Sequence, residues 1–440
     1  MRIAFVSRRY FPAISGMSVY ARNLLGELVR MGHDVTMVSQ YRADPAGAGI
    51  YGGGPPPAVP GVRTLGLESL GEAEAPAGRP ADFEADIARM VEAVVAEHAR
   101  APFDLVHAQY GYPNGLAALE AARRLGGLPV VVSIQGGDGH WVGTCCDTHA
   151  RAMRAVLLHA DAVLIGSASF ADEVVGHPGN RGVPHEVFTI VPGATDTARF
   201  APRADRAGAR LGELASPPVL LYHGRVDARK GVLETLEALR TLRDGGRVVR
   251  LVLSGIGPDV QAARDRAAAL GLDDAVEFTG YAGYDDAPAV YRRGDLFVSP
   301  TYSEGFSNTI LEAMAAGLPI VSTRAVGVVD CLEDGRDALL VEPRDAAGLA
   351  AAIARLLDDG ALRRRLAATA LDEVRTLYAW TAVARRIVEA YGAARDRATE
   401  RLARGADPAA PPWLDLYDPR RQTLATADLA CRFRRAPHLL

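Results

Sequence analysis

The sequence predicts an α/β protein with two doubly wound, Rossmann-like domains that face a cleft. Its 440 residues are about three times a typical domain length, which favours two domains over one. Short apolar runs alternate with helical patterns along the first half, and the same alternation starts again in the second half. Alternation of this kind is typical of parallel sheets with helices on both faces.

The first half contains a series of strand-like runs. A helix after the first run is expected to begin at Ser18, taken as its N-cap, and to end near Met31. The turn-rich segment 191–202 suits a linker, so we place an N-terminal domain at residues 1–198. The predicted strands are Ile3–Ser7, Val35–Val38, Leu105–His107, Val130–Ile134, Ala162–Ile165 and Val187–Val191.

The second half repeats this pattern over residues 199–378, which we assign to a C-terminal domain. Residues 379–440 are predicted to form a helix that crosses back to the N-terminal domain, followed by a Pro-rich tail. Doubly wound sheets bind ligands at the carboxyl ends of their strands, so we expect the cleft there. The predicted strands are Val219–Tyr222, Leu251–Ser254, Val276–Phe278, Leu296–Val298 and Ile320–Ser322, and the helices are Gly231–Leu242, Val260–Leu270 and Thr309–Ala316.

Composition excludes several classes of protein. The formal charge is 49 − 53 = −4, which gives no electrostatic basis for binding nucleic acid or an anionic membrane. No apolar run reaches the roughly 18 residues of a membrane helix, and the N-terminal run resembles a strand, so we expect a cytoplasmic protein without an integral membrane segment. The four cysteines, two of them adjacent at Cys145 and Cys146, match neither a disulfide framework nor a zinc-binding spacing. The sequence leaves open whether the protein forms a homodimer.

Only one of the 49 basic residues is a lysine, Lys230, so 49 − 1 = 48 are arginines. The richness in Ala, Gly, Pro and Arg indicates a compositional bias that replaces Lys by Arg wherever chemistry permits. A compact ammonium can act as a point charge on phosphate or lose its proton, and a planar guanidinium copies neither role. Chance survival at the surface is the alternative explanation.

The segment 223–231 runs from a strand end into a helix start. Gly224 lets the backbone approach a ligand there, and a helix N-terminus attracts anions. Arg225 and Lys230 add two cations, so the segment fits a diphosphate better than a single carboxylate. A second glycine turn at Gly255–Gly257 is equally consistent with binding and with a purely structural role.

Two carboxylates, Glu304 and Glu312, are 312 − 304 = 8 residues apart at the start of a helix. Glu312 lies about two turns into the helix, in an apolar stretch where an unpaired carboxylate costs free energy. The amides of Phe306 to Thr309 would point at an anion beside them. The alternative is that Glu304 is a loop residue and Glu312 a solvated helix position.

These motifs resemble those of the retaining glycosyltransferases of family four (glycosyl transferases group 1), which have the GT-B fold. The resemblance rests on Glu304–Glu312, on Gly224-Arg225…Lys230-Gly231 and on the linker Val191–Phe200, and it spans Met1 to about Ala394. It implies transfer of a sugar from a UDP- or GDP-sugar with retention, by a front-face reaction in which a donor phosphate oxygen takes the acceptor's proton. It also implies no cofactor and no metal, and the sequence has no Asp-x-Asp motif.

Carried over by position, the resemblance implies roles for individual residues. Arg225 and Lys230 would grip the donor diphosphate and form the catalytic set with Glu304, which would hold the sugar hydroxyls. Glu312 would hold the ribose. The remaining donor-binding positions are Gly16, Gly224, Gly255, Tyr281, Phe306, Ser307, Asn308 and Thr309.

The N-terminal half departs from the family pattern in two places. Ser15-Gly16 stands where the family usually has two glycines, and Gln135 stands where it commonly has a histidine. Gln135 can hydrogen-bond an acceptor but cannot carry a proton. The predicted acceptor-binding residues are Tyr110, Gln135, Asp138 and Trp141, and His107 is a further polar candidate with a simpler structural explanation.

The acceptor is expected to be small, soluble and polar, such as an aminocyclitol or a sugar in specialised-metabolite or glycoconjugate biosynthesis. The reason is that the N-terminal half lacks an apolar or basic amphipathic stripe that would serve a membrane-bound lipid. A sulfur nucleophile and a lipid-linked or polysaccharide acceptor are the alternatives. Other classes that the fold permits are a sugar-nucleotide epimerase, a phosphorylase with pyridoxal phosphate on Lys230, and a non-catalytic sugar-nucleotide-binding protein.

Overall fold

A computed structural model describes residues 1–43, 52–70 and 80–435. The chain divides into two compact units, one formed by Met1–Val191 with Ala384–Leu440 and the other by Pro192–Val383. The boundaries that we drew from the sequence, after residues 198 and 378, lie a few residues away from these. The C-terminal segment belongs to the first unit and does not form a body of its own.

The first unit contains a seven-stranded parallel sheet in the order β3-β2-β1-β4-β5-β6-β7. Its central strands β4 and β5 are buried along their whole length, because both faces of the sheet are covered. Strand β3 is absent from the sequence prediction, since none of its residues is fully buried and its apolar signal is weak. The strands are β1 Arg2–Ser7, β2 Asp34–Tyr41, β3 Val62–Glu68, β4 Leu105–Gln109, β5 Val130–Ile134, β6 Ala162–Ile165 and β7 Phe188–Ile190.

The first helix of this unit begins three residues earlier than the sequence indicates. Ser15, not Ser18, is its N-cap, and the Ser15 hydroxyl accepts a hydrogen bond from the Ser18 amide at 3.2 Å. Ser18 is buried one turn in, where its hydroxyl donates to Ala13 O. The helices of this unit are Gly16–Arg30, Phe83–Arg100, Leu116–Arg124, Gly136–Trp141, Asp147–His159, Ala168–Gly176, Trp413–Leu416 and Arg432–Arg435. A further helix, Trp380–Ala403, begins in the second unit and belongs to the first unit from Ala384 onward.

The second unit contains a six-stranded parallel sheet in the order β10-β9-β8-β11-β12-β13. Its core is formed by the apolar side chains of these strands and of the helices that cover them. The short strand β13 at the edge was not predicted. The strands are β8 Val219–His223, β9 Arg250–Ser254, β10 Val276–Gly280, β11 Leu296–Ser299, β12 Ile320–Thr323 and β13 Leu339–Val341.

The helical region near the end of this unit is not continuous. Asp359 ends one helix and caps the next, because its carboxylate accepts a hydrogen bond from the Leu362 amide at 2.9 Å. Within the ranges that the structure describes, no helix is both long and apolar enough to span a membrane. The helices are Val232–Asp244, Val260–Ala269, Ala287–Tyr291, Asn308–Ala315, Ala346–Asp358 and Gly360–Leu377.

Candidate functional site

The order of strands in the second sheet reverses between β8 and β11. These two parallel strands are adjacent, with Leu296 beside Leu220, and the strands that follow each one lie on opposite sides. Loops leaving the carboxyl ends at such a point diverge and open a crevice that binds ligands in open α/β sheets. The two motifs that the sequence singled out, at residues 224–231 and 304–312, directly follow β8 and β11.

Lys230 and Glu304 meet at this point. The Lys230 Nζ lies 2.7 Å from Glu304 Oε2, and the side chains are 27% and 18% exposed. Both are therefore accessible to a ligand yet partly withdrawn from water, which strengthens their electrostatic interaction. The only lysine of the chain and the first carboxylate of the Glu304–Glu312 pair form one ion pair.

A short turn positions Lys230. Asp227 caps the single helical turn Ala228–Lys230 by accepting the Arg229 amide at 3.0 Å. The next residue, Gly231, has φ +71°, and a Cβ there would lie 2.1 Å from Pro300 O. Only glycine therefore allows the Lys230 turn to lie directly against the segment that follows β11.

Arg225 lies on the same turn, with its Nε 3.5 Å from Asp227 Oδ2. Asp227 is buried and also accepts two hydrogen bonds from the Arg229 guanidinium, at 3.2 and 3.1 Å. Burial would raise the pKa of Asp227, but the contacts with Arg229 and Arg225 outweigh it and lower the pKa below its usual value. Asp227 therefore stays ionised and orients Arg225. The sequence analysis did not predict this positioning role.

The glycine turn after β9 packs against the turn after β8. A Cβ on Gly255 would lie 1.7 Å from Gly224 O, and a Cβ on Gly257 would lie 2.0 Å from Val226 O. The backbone bond from the Val226 amide to Ile256 O, 2.9 Å long, holds the two turns together. Gly255 thus has a structural reason to be glycine, and Gly224 is glycine because its φ is +143°.

The helix Asn308–Ala315 begins beside Glu304. Ser307 occupies its N-cap, but among the described residues the Ser307 side chain makes no capping bond; its Oγ lies 3.2 Å from Thr309 Oγ1. The partial positive charge of the helix N-terminus is therefore not offset by a side-chain cap, which favours an anionic ligand. Phe306 and Asn308 lie against Gly193, where a Cβ would approach their side chains to 2.6 and 3.1 Å.

Glu312 is a buried residue of this helix. The Tyr291 hydroxyl donates to Glu312 Oε2 at 2.7 Å, and Tyr291 itself is fully buried. Burial raises the pKa of Glu312 to about 7, more than the Tyr291 bond and the positive charge of Arg199 lower it. The interpretation of Glu312 as a solvated helix position is therefore wrong.

Two further residues complete the surroundings of this site. His223, the last residue of β8, contacts Ser254 through its Nδ1 at 3.1 Å, and burial lowers the pKa of His223 to about 4. It is therefore neutral near pH 7 and adds no charge. Tyr281 follows β10 at the same edge of the sheet and is 45% exposed, so its ring and backbone can be reached by a ligand.

The first unit places its predicted residues at the corresponding edge of its own sheet. Gly16 begins the helix after β1, Tyr110 follows β4 and Gln135 follows β5. Buried Gln109 ties these ends together, because its Nε2 donates to Met17 O at 3.0 Å and to Gln135 Oε1 at 3.1 Å. Gln109 ends an apolar strand, which is the one signal in the sequence that could have identified it.

Asp138 does not present a free carboxylate to a ligand. It is fully buried, and its two oxygens accept the amides of Gly111 at 2.6 Å and Gln135 at 2.8 Å. Burial raises the pKa of Asp138 to about 7, and these backbone bonds only partly offset the effect. The structure thus gives Asp138 a positioning role for the Tyr110–Gly111 turn, and acceptor contact by Asp138 stays a prediction.

Tyr110 is largely buried and has φ +82°, a strained conformation for a non-glycine residue. His107 bonds Tyr391 Oη at 2.7 Å and Ser133 Oγ at 2.8 Å, and burial lowers the pKa of His107 to about 3, so it is a neutral core residue. The side chain of Trp141 lies outside what the structure describes.

Comparison with known proteins assigns the family. Residues 217–359 match the family model described as glycosyl transferases group 1, and residues 15–193 match the glycosyl transferase 4-like domain. The D-inositol 3-phosphate glycosyltransferase of Stackebrandtia nassauensis is 31% identical over 328 residues, 69% of this chain and 71% of that protein. This chain belongs to the group 1 glycosyltransferases.

The glycosyltransferase is also similar to two proteins with other names, a glycogen synthase and a sucrose-phosphate synthase. The glycogen synthase of Mycobacterium tuberculosis is 31% identical over 277 residues, 61% of this chain, and the match spans 64% of that relative's length. The structure of sucrose-phosphate synthase from Thermosynechococcus elongatus superposes with a TM-score of 0.72 at 24% identity, over 89% of this chain and 98% of that one. The expected GT-B fold is thereby confirmed.

The structure also brings together residues of the glycosyltransferase to which the sequence analysis gave no role. Cys145, Cys146, His149 and Cys431 bring their ligand atoms within 4.8 Å of one another in the first unit. The cysteine spacing gave no sign of this group, because Cys431 is contributed by the C-terminal segment, 282 residues beyond His149.

Proposed function

We propose that this glycosyltransferase moves a sugar from a UDP- or GDP-sugar to a small, soluble, polar acceptor, with retention and without a catalytic metal. The observation that carries the proposal is the Lys230–Glu304 ion pair at the strand-order reversal, with Arg225 on the same turn. One carboxylate and two cations at the mouth of one crevice suit a ligand that carries both hydroxyls and a diphosphate.

The donor would bind through charge and backbone together. Arg225, Lys230 and the uncapped N-terminus of helix Asn308–Ala315 would hold the diphosphate, and they would stabilise the negative charge that develops on it as the glycosidic bond breaks. Glu304, oriented by Lys230, would accept hydrogen bonds from sugar hydroxyls. Glu312 would hold the ribose from its buried position beside Tyr291.

The proposed reaction needs no protein base of high pKa. The acceptor attacks from the face that the leaving phosphate departs from, so a phosphate oxygen of the donor takes the acceptor's proton. This agrees with Gln135, which hydrogen-bonds but does not transfer protons, at the end of β5. The relatives' names include an inositol phosphate and glycogen. We favour the small cyclitol or sugar because that match covers 69% of this chain and the glycogen synthase match covers 61%.

A donor screen tests the proposal. Wild type is incubated with a panel of UDP- and GDP-sugars, thermal unfolding is followed, and released nucleotide is measured with candidate acceptors. We expect one donor to raise Tm by several degrees, on the order of 5 °C at saturation, and Lys230→Ala to abolish the shift. Arg250→Ala is the matched control, since Arg250 is exposed at the amino end of β9, the opposite edge of the same sheet.

The outcomes separate the candidate functions. Nucleotide release that depends on an acceptor supports the transferase, and NMR of the product's anomeric proton then reports retention or inversion. Donor binding without turnover for any acceptor points to a non-catalytic sugar-nucleotide-binding protein. Equal Tm shifts for wild type and Lys230→Ala contradict the donor site.

A further inference from the structure

Four side chains form a compact group in the first unit, far along the chain from the donor motifs. We call Cys145, Cys146, His149 and Cys431 the Cys–His cluster. Their ligand atoms all lie within 4.8 Å of one another, and His149 and Cys431 are almost completely buried. The cluster therefore contains three of the four cysteines of the chain and one imidazole.

The start of one helix supplies three of the four groups. Cys146 is the N-cap of helix Asp147–His159, and its Sγ accepts the His149 amide at 3.5 Å. Cys145 precedes this cap, and its Sγ contacts His149 Nδ1 in the first turn of the helix. The fourth group, Cys431, comes from the C-terminal segment just before helix Arg432–Arg435.

The distances fit tetrahedral coordination. Zinc–sulfur bonds of about 2.3 Å and zinc–nitrogen bonds of about 2.0 Å, at tetrahedral angles, place sulfur and nitrogen ligands about 3.5 Å apart. In the structure His149 Nδ1 lies 3.2 Å from Cys145 Sγ and 3.5 Å from Cys431 Sγ. The imidazole is fixed by packing against the Tyr112 ring, with the ring centroids 4.4 Å apart.

The chemistry of the four groups favours zinc as the ion. Soft thiolates with one imidazole in tetrahedral array are the ligand set that proteins use for zinc.

We propose that the Cys–His cluster binds one zinc ion in a closed, structural Cys3His site. Four protein ligands leave no open position, so the ion takes no part in sugar transfer. Its role is to fasten the C-terminal segment to the first unit. In that segment buried Arg434 also pairs with Glu84 at 2.6 Å, and Phe433 and Trp413 are buried. The proposal does not rest on the proposed transferase function.

Metal analysis of the full chain tests the site. Wild type is purified under reducing conditions from zinc-supplemented cells, and metal is measured by mass spectrometry. We expect about one zinc per chain in wild type and less than about 0.1 in Cys431→Ser and Cys146→Ser. Cys331→Ser is the matched control, because Cys331 is a buried cysteine of the second unit that contacts Val328 O, and it should keep its zinc.

A second measurement covers variants that do not fold. Wild type treated with a thiol-specific mercurial should release zinc to a colorimetric chelator, and cobalt-loaded wild type should show thiolate charge-transfer absorption. After zinc removal, limited proteolysis should cut the 404–435 segment at least about tenfold faster. Wild type without zinc, a disulfide from Cys431 to Cys145 or Cys146 under the same reducing conditions, or zinc retained in both serine variants would each overturn the proposal.

Discussion

Lys230 is the one lysine in a chain whose other 48 basic residues are arginines. The chain uses arginine at every other basic position, yet at this one the ammonium contacts Glu304 at 2.7 Å on a turn closed by Gly231. A guanidinium is larger and planar, and it would need a different approach to both Glu304 and a phosphate. The site therefore explains the surviving lysine by geometry as well as by charge.

Substitution at Lys230 and Arg225 should be costly for turnover. We expect Lys230→Ala and Arg225→Ala each to lower kcat by about a hundredfold or more, because each removes a cation that stabilises the leaving diphosphate. Lys230→Arg should also be impaired, while Arg250→Ala retains wild-type kinetics. Steady-state nucleotide release measures all four, and wild-type kinetics in Lys230→Arg would contradict the argument from the single lysine.

Glu312 should make the stability of the glycosyltransferase depend on pH. Its pKa is raised by burial to about 7 from an ordinary value of 4.5, so the folded state holds the proton more tightly than the unfolded chain. The resulting stabilisation is complete below about pH 4.5 and is lost as the pH rises through about 7. Glu312→Gln keeps an acceptor for Tyr291 but cannot titrate.

As the pH rises from about 4.5 to about 7, we therefore expect the free energy of unfolding of Glu312→Gln, relative to that of wild type, to increase by on the order of 2 kcal/mol. Urea unfolding curves at steps of pH measure this difference. A difference that is constant over the whole range would show that Glu312 does not titrate there.

Gln135 separates acceptor binding from donor binding. Its side chain accepts from Gln109 and lies after β5, so Gln135→Ala should raise the acceptor KM by about tenfold and leave donor Kd unchanged. Gln109→Ala should produce the same effect indirectly, together with a loss of stability, because it removes the hydrogen bonds from Gln109 to Met17 and Gln135. Unchanged acceptor parameters in Gln135→Ala would remove this edge of the sheet from the acceptor site.

At the scale of the elements, two glycines at strand-to-helix turns have different reasons to be glycine. A Cβ on Gly255 would collide with the Gly224 carbonyl oxygen, whereas a Cβ on Gly16 would meet nothing within 4 Å. Gly255→Ala should destabilise the protein by more than about 3 kcal/mol, because backbone must move. Gly16→Ala should change stability by less than about 0.5 kcal/mol, because no neighbouring atom has to move. Equal stability losses would contradict this distinction.

At the scale of the whole molecule, the proposed zinc site and the proposed transfer chemistry involve different residues. We expect turnover to survive dialysis against EDTA, since in our proposal Arg225 and Lys230 neutralise the diphosphate and the zinc ion has no open coordination position. Activity that is lost with EDTA and returns with magnesium or manganese would contradict metal-independent transfer. Activity that returns only with zinc would instead report a loss of structure at the cluster.

Most of the fold could be predicted because buried parallel strands are continuous apolar runs. Two strands were missed for different reasons: β3 alternates polar and apolar residues and has no fully buried side chain, and β13 is apolar but only three residues long. The donor motifs were found because their residues are close in sequence. Ser18 was mistaken for the N-cap because Ser15 and Ser18 offer the same hydroxyl, and only the backbone conformation of Ser15 decides between them.

The sequence by itself determined the two-unit α/β architecture, the family and the motif residues Arg225, Lys230 and Glu304, since these depend on local periodicity and spacing. Only the tertiary structure decided that Lys230 pairs with Glu304, that Asp138 is buried under backbone amides, and that Cys431 joins Cys145. Each of these contacts joins residues on different elements of the fold. A local sequence pattern indicates which stretches are apolar and buried, but it does not specify which polar side chains of different elements meet.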